Sequence, residues 1–538
     1  MITSSRRGFI KRSSLAGASL ALPGALRGED PARSVRSVSI FHTTDLHGHI
    51  RPTSTYDGIG NVGGLARCAA QIREWRKALP HSLLVDIGDV YQGTAVGWMT
   101  RGRLMIDLFN KLGYDAWVLG NHEFDWGPEV VLDAVSRSRM PILTGNILLE
   151  GKQAGTWDDA THPLAKVLPH IVKEVGGFRI GMIGLVTPGL PYWLRPELLS
   201  GFEATDPREA LEASVRYLRE EAKVDAVVAC GHFGWRDEDD FANPINAVLA
   251  GDNGVDVYLA GHTHRDHSSM SIDGTLYTQA NYFGIHCGRV DLTFDVESRR
   301  LVQRRAFTVF MDERIEEDPL VLEAARDDLD ESGRYLATEV GEIDGELSDR
   351  RNDDGGGSPL QNLLCAAFVH AAAKKEIAAD GVFHGTFGSG TLKAGSKTVA
   401  DMWDILPYEN RLVALYLTRA ELAAVMDESL DVRSDRALYG FEVISASAGA
   451  ARYESRGERF VTAVRPRNGV EKPEDHRYCI IFNSYDAQSG GKRLMRLRAL
   501  AERPEARATL LPMTSREALI DFFKDKGVVR PADVREPA

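Results

Sequence analysis

The chain has 538 residues, 43% of them hydrophobic and 26% charged, with a net charge of −13. That length exceeds one ordinary core and points to two domains, and the composition is that of a soluble globular protein. The acidic balance excludes a nucleic-acid polymer or an anionic membrane as a generic partner. It leaves room for a small phosphorylated substrate, because a local metal ion inverts the field.

The first residues read as an address. Ser5-Arg6-Arg7-Gly8-Phe9-Ile10-Lys11 looks like a twin-arginine export signal, followed by a weakly apolar run over 15–22 and the small residues Pro23-Gly24-Ala25. The run is too short for a stable membrane anchor. The expectation is passage through the twin-arginine export machinery to the periplasm or the exterior, with residues 1–36 outside the fold. The five cysteines, Cys68, Cys230, Cys287, Cys365 and Cys479, are odd in number and contain no C-x-x-C pair. They predict buried small apolar residues rather than a disulfide framework.

Residues 38–44 form an apolar strand that ends in Asp45-Leu46-His47, whose Asp and His can reach one metal ion. A helix follows over 65–77, with Leu65, Ala69, Ile72 and Trp75 at helical spacing. The strand over 82–87 ends in Gly88-Asp89, a helix covers 103–112, and the strand over 116–119 ends in Gly120-Asn121-His122-Glu123-Phe124-Asp125. In that hexapeptide Asn121 offers a neutral oxygen, and Asp125 is close enough to orient the imidazole of His122 and raise its basicity. Strands over 140–143 and 178–186 and a helix over 207–222 come next. Two further strands, 224–230 and 255–260, run into Gly231-His232 and Gly261-His262-Thr263-His264.

This β-α-β alternation implies a sheet with helices on its faces, and the polar strand ends fall at the carboxyl edge, where such sheets place their sites. Five strands end in Asp or His. Hard divalent cations take these ligands, and two cations about 3.5–4 Å apart need a bridging carboxylate. Without metal, so many buried carboxylates and imidazoles would be costly.

Strands over 276–280 and 288–294 close the first half, and a charged helix over 319–336 reads as a connection. A polar Gly-rich loop over 350–359 precedes an apolar helix over 360–373. A short helix over 399–406 is ended by Pro407-Tyr408. A strand follows over 411–417, then the capping box Thr418-Arg419-Ala420-Glu421 opens a helix to residue 430. A strand over 477–482 leads into an Asn483-Ser484-Tyr485 loop and Ser489-Gly490-Gly491.

This order of motifs resembles the calcineurin-like metallophosphoesterases, and more closely the 5′-nucleotidase family with its UDP-sugar hydrolases and 2′,3′-cyclic-nucleotide phosphodiesterases. The resemblance implies an α/β fold. A metallophosphoesterase β-sandwich flanked by helices would cover 37–312, an interdomain helix 313–340, and a smaller α/β C-terminal 5′-nucleotidase domain 341–538. It implies two divalent metal ions, drawn from Mn, Zn, Co or Mg. Asp45, His47 and His264 would hold one, Asn121, His232 and His262 the other, and Asp89 would bridge them. The attacking group would be a metal-activated water, and His122 with Asp125 the catalytic dyad. Tyr408, in Pro407-Tyr408-Glu409-Asn410, and Tyr485 would sandwich a base.

The chain departs from the family in its second half. The family's phosphate-binding Arg is Leu392 here, at the end of Phe387-Gly388-Ser389-Gly390-Thr391-Leu392, and its Gly-Gly-Asp is Gly490-Gly491-Lys492. Arg350, Arg351 and Lys492 remain as candidates to meet substrate phosphate. The expected activity is an exported phosphohydrolase acting on nucleotides or related small phosphate esters. A non-nucleotide phosphoesterase with the same core is the nearest alternative. A related thiosulfohydrolase of sulfur oxidation carries a His-Trp-Glu type sequence in place of Asn121-His122-Glu123, which argues against it. A binding protein without turnover would lack a ligand or dyad residue, and none is missing.

Overall fold

The computed structural model describes residues 34–157, 162–350, 357–385, 390–432, 436–447 and 459–534. The expected export motif at Ser5 to Lys11, Arg351 and the Phe387-Gly388-Ser389 stretch lie outside the described residues. Two sheets pack face to face in the first half. One is seven-stranded, and its central strands Val35–Thr43, Ser82–Asp86, Ala116–Val118 and Ile142–Leu143 run parallel. The other is six-stranded, with Phe178–Val186, Ala226–His232, Val257–Ala260 and Thr275–Ala280 parallel at its centre.

The apolar runs in these strands serve two cores at once, because successive side chains point to opposite faces. Ile180, Met182, Val228, Cys230, Val257 and Leu259 meet Val38, Ile40, Leu83, Val85 and Val118 between the sheets. The alternate residues Ile183, Leu185, Val227, Ala229 and Tyr258 pack outward against Leu211 and Leu218. On the far side, Phe41, Leu84 and Trp117 pack against the helices Leu65–Ala78 and Arg103–Leu112. Parallel register brings the carboxyl ends of neighbouring strands to one edge. The result is a β-sandwich flanked by helices, as the motif order implies.

Several boundaries differ from the sequence reading. The first strand begins at Val35, two residues inside the segment assigned to the export signal, and pairs antiparallel with His286–Asp295 along its length. The strand at 226–232 includes His232 itself, so this imidazole is held by a ladder rather than by a loop. The helix from Pro207 is α-helical only to Arg216. Its last turn is wider, with Ala222 N–H donating to Tyr217 C=O five residues back.

The helix Pro319–Leu336 joins the halves, its first turn capped by Asp318, which also pairs with Arg73. The second half is built on a five-stranded sheet whose central strands include Gly381–His384, Tyr478–Asn483 and Arg411–Leu417. Capping boxes start Pro359–Ala373, Arg419–Asp431 and the C-terminal helix Ser515–Lys526. The expected Asn483-Ser484-Tyr485 loop is instead a short helix, Ser484–Gln488, because the Asn483 side chain caps it by accepting from Asp486 N–H. All five cysteines are buried and free. Among the described residues no helix is long and apolar enough to cross a membrane.

Candidate metal centre

The strand ends converge on one point. Asp45, His47, Asp89 and His264 present ligand atoms within 4.8 Å of one another, and so do Asp89, His232 and His262. Asp89 is the member common to both groups. Asp45, His47, Asp89, His262 and His264 all have positive φ, between 48° and 72°. Non-glycine residues hold this conformation at a cost of about 1–3 kcal/mol each, and such strain gathers at functional sites. The tight coil at each strand end turns the next polar side chain back toward the sheet edge. Glycine is required where the turns touch: a Cβ on Gly120 would stand 2.2 Å from Asp89 Oδ1.

The donor chemistry fits a divalent cation. His47 Nδ1–H donates to Gln92 C=O at 2.7 Å and His232 Nδ1–H to Ile87 C=O at 2.6 Å, which leaves each Nε2 lone pair for a ligand. His264 Nδ1 lies 2.9 Å from the Tyr56 hydroxyl. The Oδ1 of Asn121 is buried with no hydrogen-bond partner, as is Nε2 of His232, although the latter stands 3.0 Å from an Asp89 oxygen. A cation is the group that satisfies these atoms together. Burial pushes His47 and His262 down to about 3, so both are neutral and able to ligate. Burial raises the Asp89 carboxyl, but the facing His232, His122 and His47 outweigh it and hold it well below the usual carboxylate range.

His122 belongs to neither ligand group. Its Nδ1 meets Asp125 at 2.6 Å and its backbone N–H donates to Asp89 Oδ1 at 2.8 Å. Burial lowers this imidazole, but Asp125 and Asp89 more than offset that and hold it up at about 10. The ring of Tyr408 lies parallel to it, with centroids 6.0 Å apart.

Glu123 is the residue whose part the sequence concealed. It is fully buried and accepts from Asp89 N–H, Val90 N–H and Gly120 N–H at 2.9, 2.8 and 2.6 Å. One carboxylate thus ties the Asp89 turn to the Gly120 turn. Its place beside His122 was the only available signal, since nothing in a linear sequence says which side chain turns inward. Glu123→Gln keeps the volume but presents an amide N–H to one of those donors. It is expected to destabilise the fold by about 1–3 kcal/mol and to weaken metal binding by about 10–100-fold. Thermal melting and metal titration read the two effects.

A cavity of about 920 Å³ opens beside the ligands, between the two halves. Asn121, His122, Asp125 and His262 line it from the first half, Tyr408 and Tyr485 from the second. The halves touch around it: Gln92 donates to Glu409 and Ser489 to the Tyr192 carbonyl. Two candidates for meeting substrate stand elsewhere, and the position of the family's missing Arg is buried. Lys492 is not on the cavity wall, and its ammonium sits over the rings of Tyr192 and Phe241 at 5.1 and 5.6 Å. Arg350 is exposed and also absent from the wall, and Leu392 is buried in the second-half core. The guanidinium groups that do line the cavity, among them Arg195, Arg411 and Arg493, carried no family motif. Arg411 directly follows Tyr408-Glu409-Asn410, and that adjacency was its one visible signal.

A double sheet with Asp and His at its parallel strand ends is the architecture of a calcineurin-like phosphoesterase, and residues 38–266 match the family model of that description. Residues 339–499 match the 5′-nucleotidase C-terminal domain. The chain belongs to the calcineurin-like phosphoesterases that carry this 5′-nucleotidase domain. It is 24% identical over 438 residues to the trifunctional nucleotide phosphoesterase protein YfkN of Bacillus subtilis, covering 75% of this chain and 28% of that protein. It is 29% identical over 377 residues to the 5′-nucleotidase of Bos taurus, covering 63% and 61%. The 5′-nucleotidase precursor from Thermus thermophilus has the same fold, with a TM-score of 0.69 and 23% identity over 92% of this chain and 97% of that one. The chain spans less than two thirds of the length of the curated relatives it matches.

Proposed function

We propose that the protein is an exported dinuclear-metal phosphohydrolase that removes phosphate from nucleotides or related small phosphate esters. The observation that carries this reading is the sharing of Asp89 between two ligand groups beside a His122–Asp125 pair that faces a cavity. Asp45, His47 and His264 would hold one cation, and Asn121, His232 and His262 the other. Mn, Zn, Co and Mg all suit such ligands. When bound, the cations polarise the phosphoryl oxygens and lower the pKa of water.

The remaining work falls to side chains. His122, oriented by Asp125, would donate a hydrogen bond or proton to the oxygen on which charge gathers. Tyr408 and Tyr485 offer flat faces to the leaving group, which suits a base. Contacts between the halves, such as Gln92 to Glu409, hold the two walls of the cavity together.

The test is phosphate release by Mn-loaded mature protein from AMP, UDP-glucose, 2′,3′-cyclic AMP, bis-p-nitrophenyl phosphate and a sugar phosphate. Turnover of AMP or UDP-glucose that falls after Tyr408→Ala supports the nucleotide reading. Turnover of the generic diester or the sugar phosphate alone moves the substrate class away from nucleotides, and no turnover with metal bound sinks the phosphohydrolase reading.

A further inference from the structure

We infer that the cavity contains a second anion-binding subsite formed by Arg195, Arg411 and Arg493, distinct from the metal ligands. The preferred substrate is therefore a phosphate ester that carries a further phosphate or carboxylate group. This rests on the phosphohydrolase reading above and narrows its substrate class.

Charge accounting on the cavity wall leads there. The wall carries three carboxylates, and each is already engaged. Asp125 holds His122, Glu409 holds Arg516 at 2.9 Å, and Glu517 caps its own helix through Thr514. Of the six arginines on the wall, Arg436 is bound to the fully buried Asp486 at 2.8 Å, Arg236 has Asp240 at 3.4 Å, and Arg101 is exposed. Arg411 and Arg493 lack such partners, and Arg195 has only a solvent-exposed one. The guanidinium of Arg411 donates only to the Leu511 carbonyl, and that of Arg493 to the Gly490 carbonyl and the Tyr485 hydroxyl. Neither makes an ion pair among the described residues. Arg195 has only Glu197 at 3.5 Å, whose side chain is 77% exposed, and its own Nε is buried without a hydrogen-bond partner.

Arg195 and Arg411 are also near enough to repel each other, an effect that adds to burial in lowering Arg195. They come from opposite halves of the chain. Both are partly buried, whereas Arg493 is exposed at the cavity edge, and two fixed cations brought together in a partly desolvated space are unfavourable unless a counter-ion enters. The planar guanidinium matches phosphate and carboxylate oxygens in pairs. The Tyr485–Arg493 hydrogen bond joins this subsite to the ring offered to the leaving group, so one ligand spans both.

The test compares two matched pairs: AMP with adenosine 3′,5′-bisphosphate, and glycerol 3-phosphate with 3-phosphoglycerate. The second pair reads a carboxylate, the first a phosphate. Phosphate release and equilibrium titration are both measured on the full Mn-loaded chain and on Arg411→Gln and Arg493→Gln. The parent is expected to favour at least one doubly anionic member by about 10-fold or more in kcat/KM and in Kd, as one or two charged hydrogen bonds allow. Each variant is expected to cut that preference to less than about 3-fold, chiefly through KM. Arg411 also ties down the Leu511 carbonyl, so Arg493→Gln decides if Arg411→Gln does not fold. Equal handling of both members by the parent, or a preference untouched in the folded variants, overturns the subsite. If no ester is hydrolysed, the phosphohydrolase reading fails, and the Kd ratios still decide the subsite.

Discussion

Replacing His122 with Asn is expected to lower kcat by about 10²–10⁴-fold, the range for loss of a positioned proton donor, with the metal content of the parent retained. His122 contributes to neither ligand group, so its removal should leave cation binding largely intact. Its Nδ1 is committed to Asp125 at 2.6 Å, and no hydrogen bond engages its Nε2 among the described residues. The Asn side chain can still reach toward Asp125, while the backbone N–H that donates to Asp89 Oδ1 is unchanged. Turnover with a matched substrate and metal content by elemental analysis should be measured on the same preparation. Metal lost together with activity would mean that His122 supports the ligand cage, not the chemistry.

Asp89→Asn is expected to have the larger effect on metal itself. Asp89 is the only residue common to both ligand groups, and its oxygen lies 3.0 Å from His232 Nε2 and 3.7 Å from His47 Nε2. Asn tolerates the positive φ of 55° better than most residues and keeps an oxygen for the His122 N–H, so the turn survives. What is lost is the negative charge and one ligand oxygen. Removing a partner outside the first layer of ligands typically costs 10–100-fold in metal affinity. Loss of the shared ligand should exceed about 100-fold, with fewer cations bound per chain and activity near background. A variant that retained the parent's metal stoichiometry and turnover would show that Asp89 is not the bridge.

The polar strand ends were legible because each is a local event. A run such as Val227-Val228-Ala229-Cys230 alternates between two cores, and the Gly-His that follows brings a polar side chain to the carboxyl end of the strand. The same holds for the joining helix, whose bounds at Pro319 and Leu336 are those expected, and for the capping box at Thr418. Apolar spacing and capping groups act within a few residues, so a short window contains the forces that decide them.

Other features depend on groups that meet only after folding. His47 and His264 are 217 positions apart, yet their Nε2 atoms lie 3.1 Å from each other. Parallel register brings them to one edge, and left-handed turns aim them inward. Lys492, a candidate for substrate phosphate, is drawn off to Tyr192 and Phe241, whose rings meet each other beside it from two separate segments of the first half. The cationic wall of the cavity comes from Arg195 on one side and Arg411 and Arg493 on the other. Motif order therefore carried the strands, the joining helix and the ligand types. Tertiary packing decided which ligands share Asp89, where Glu123 turns, and which arginines face the substrate, because long-range burial and charge balance are settled between segments rather than within them.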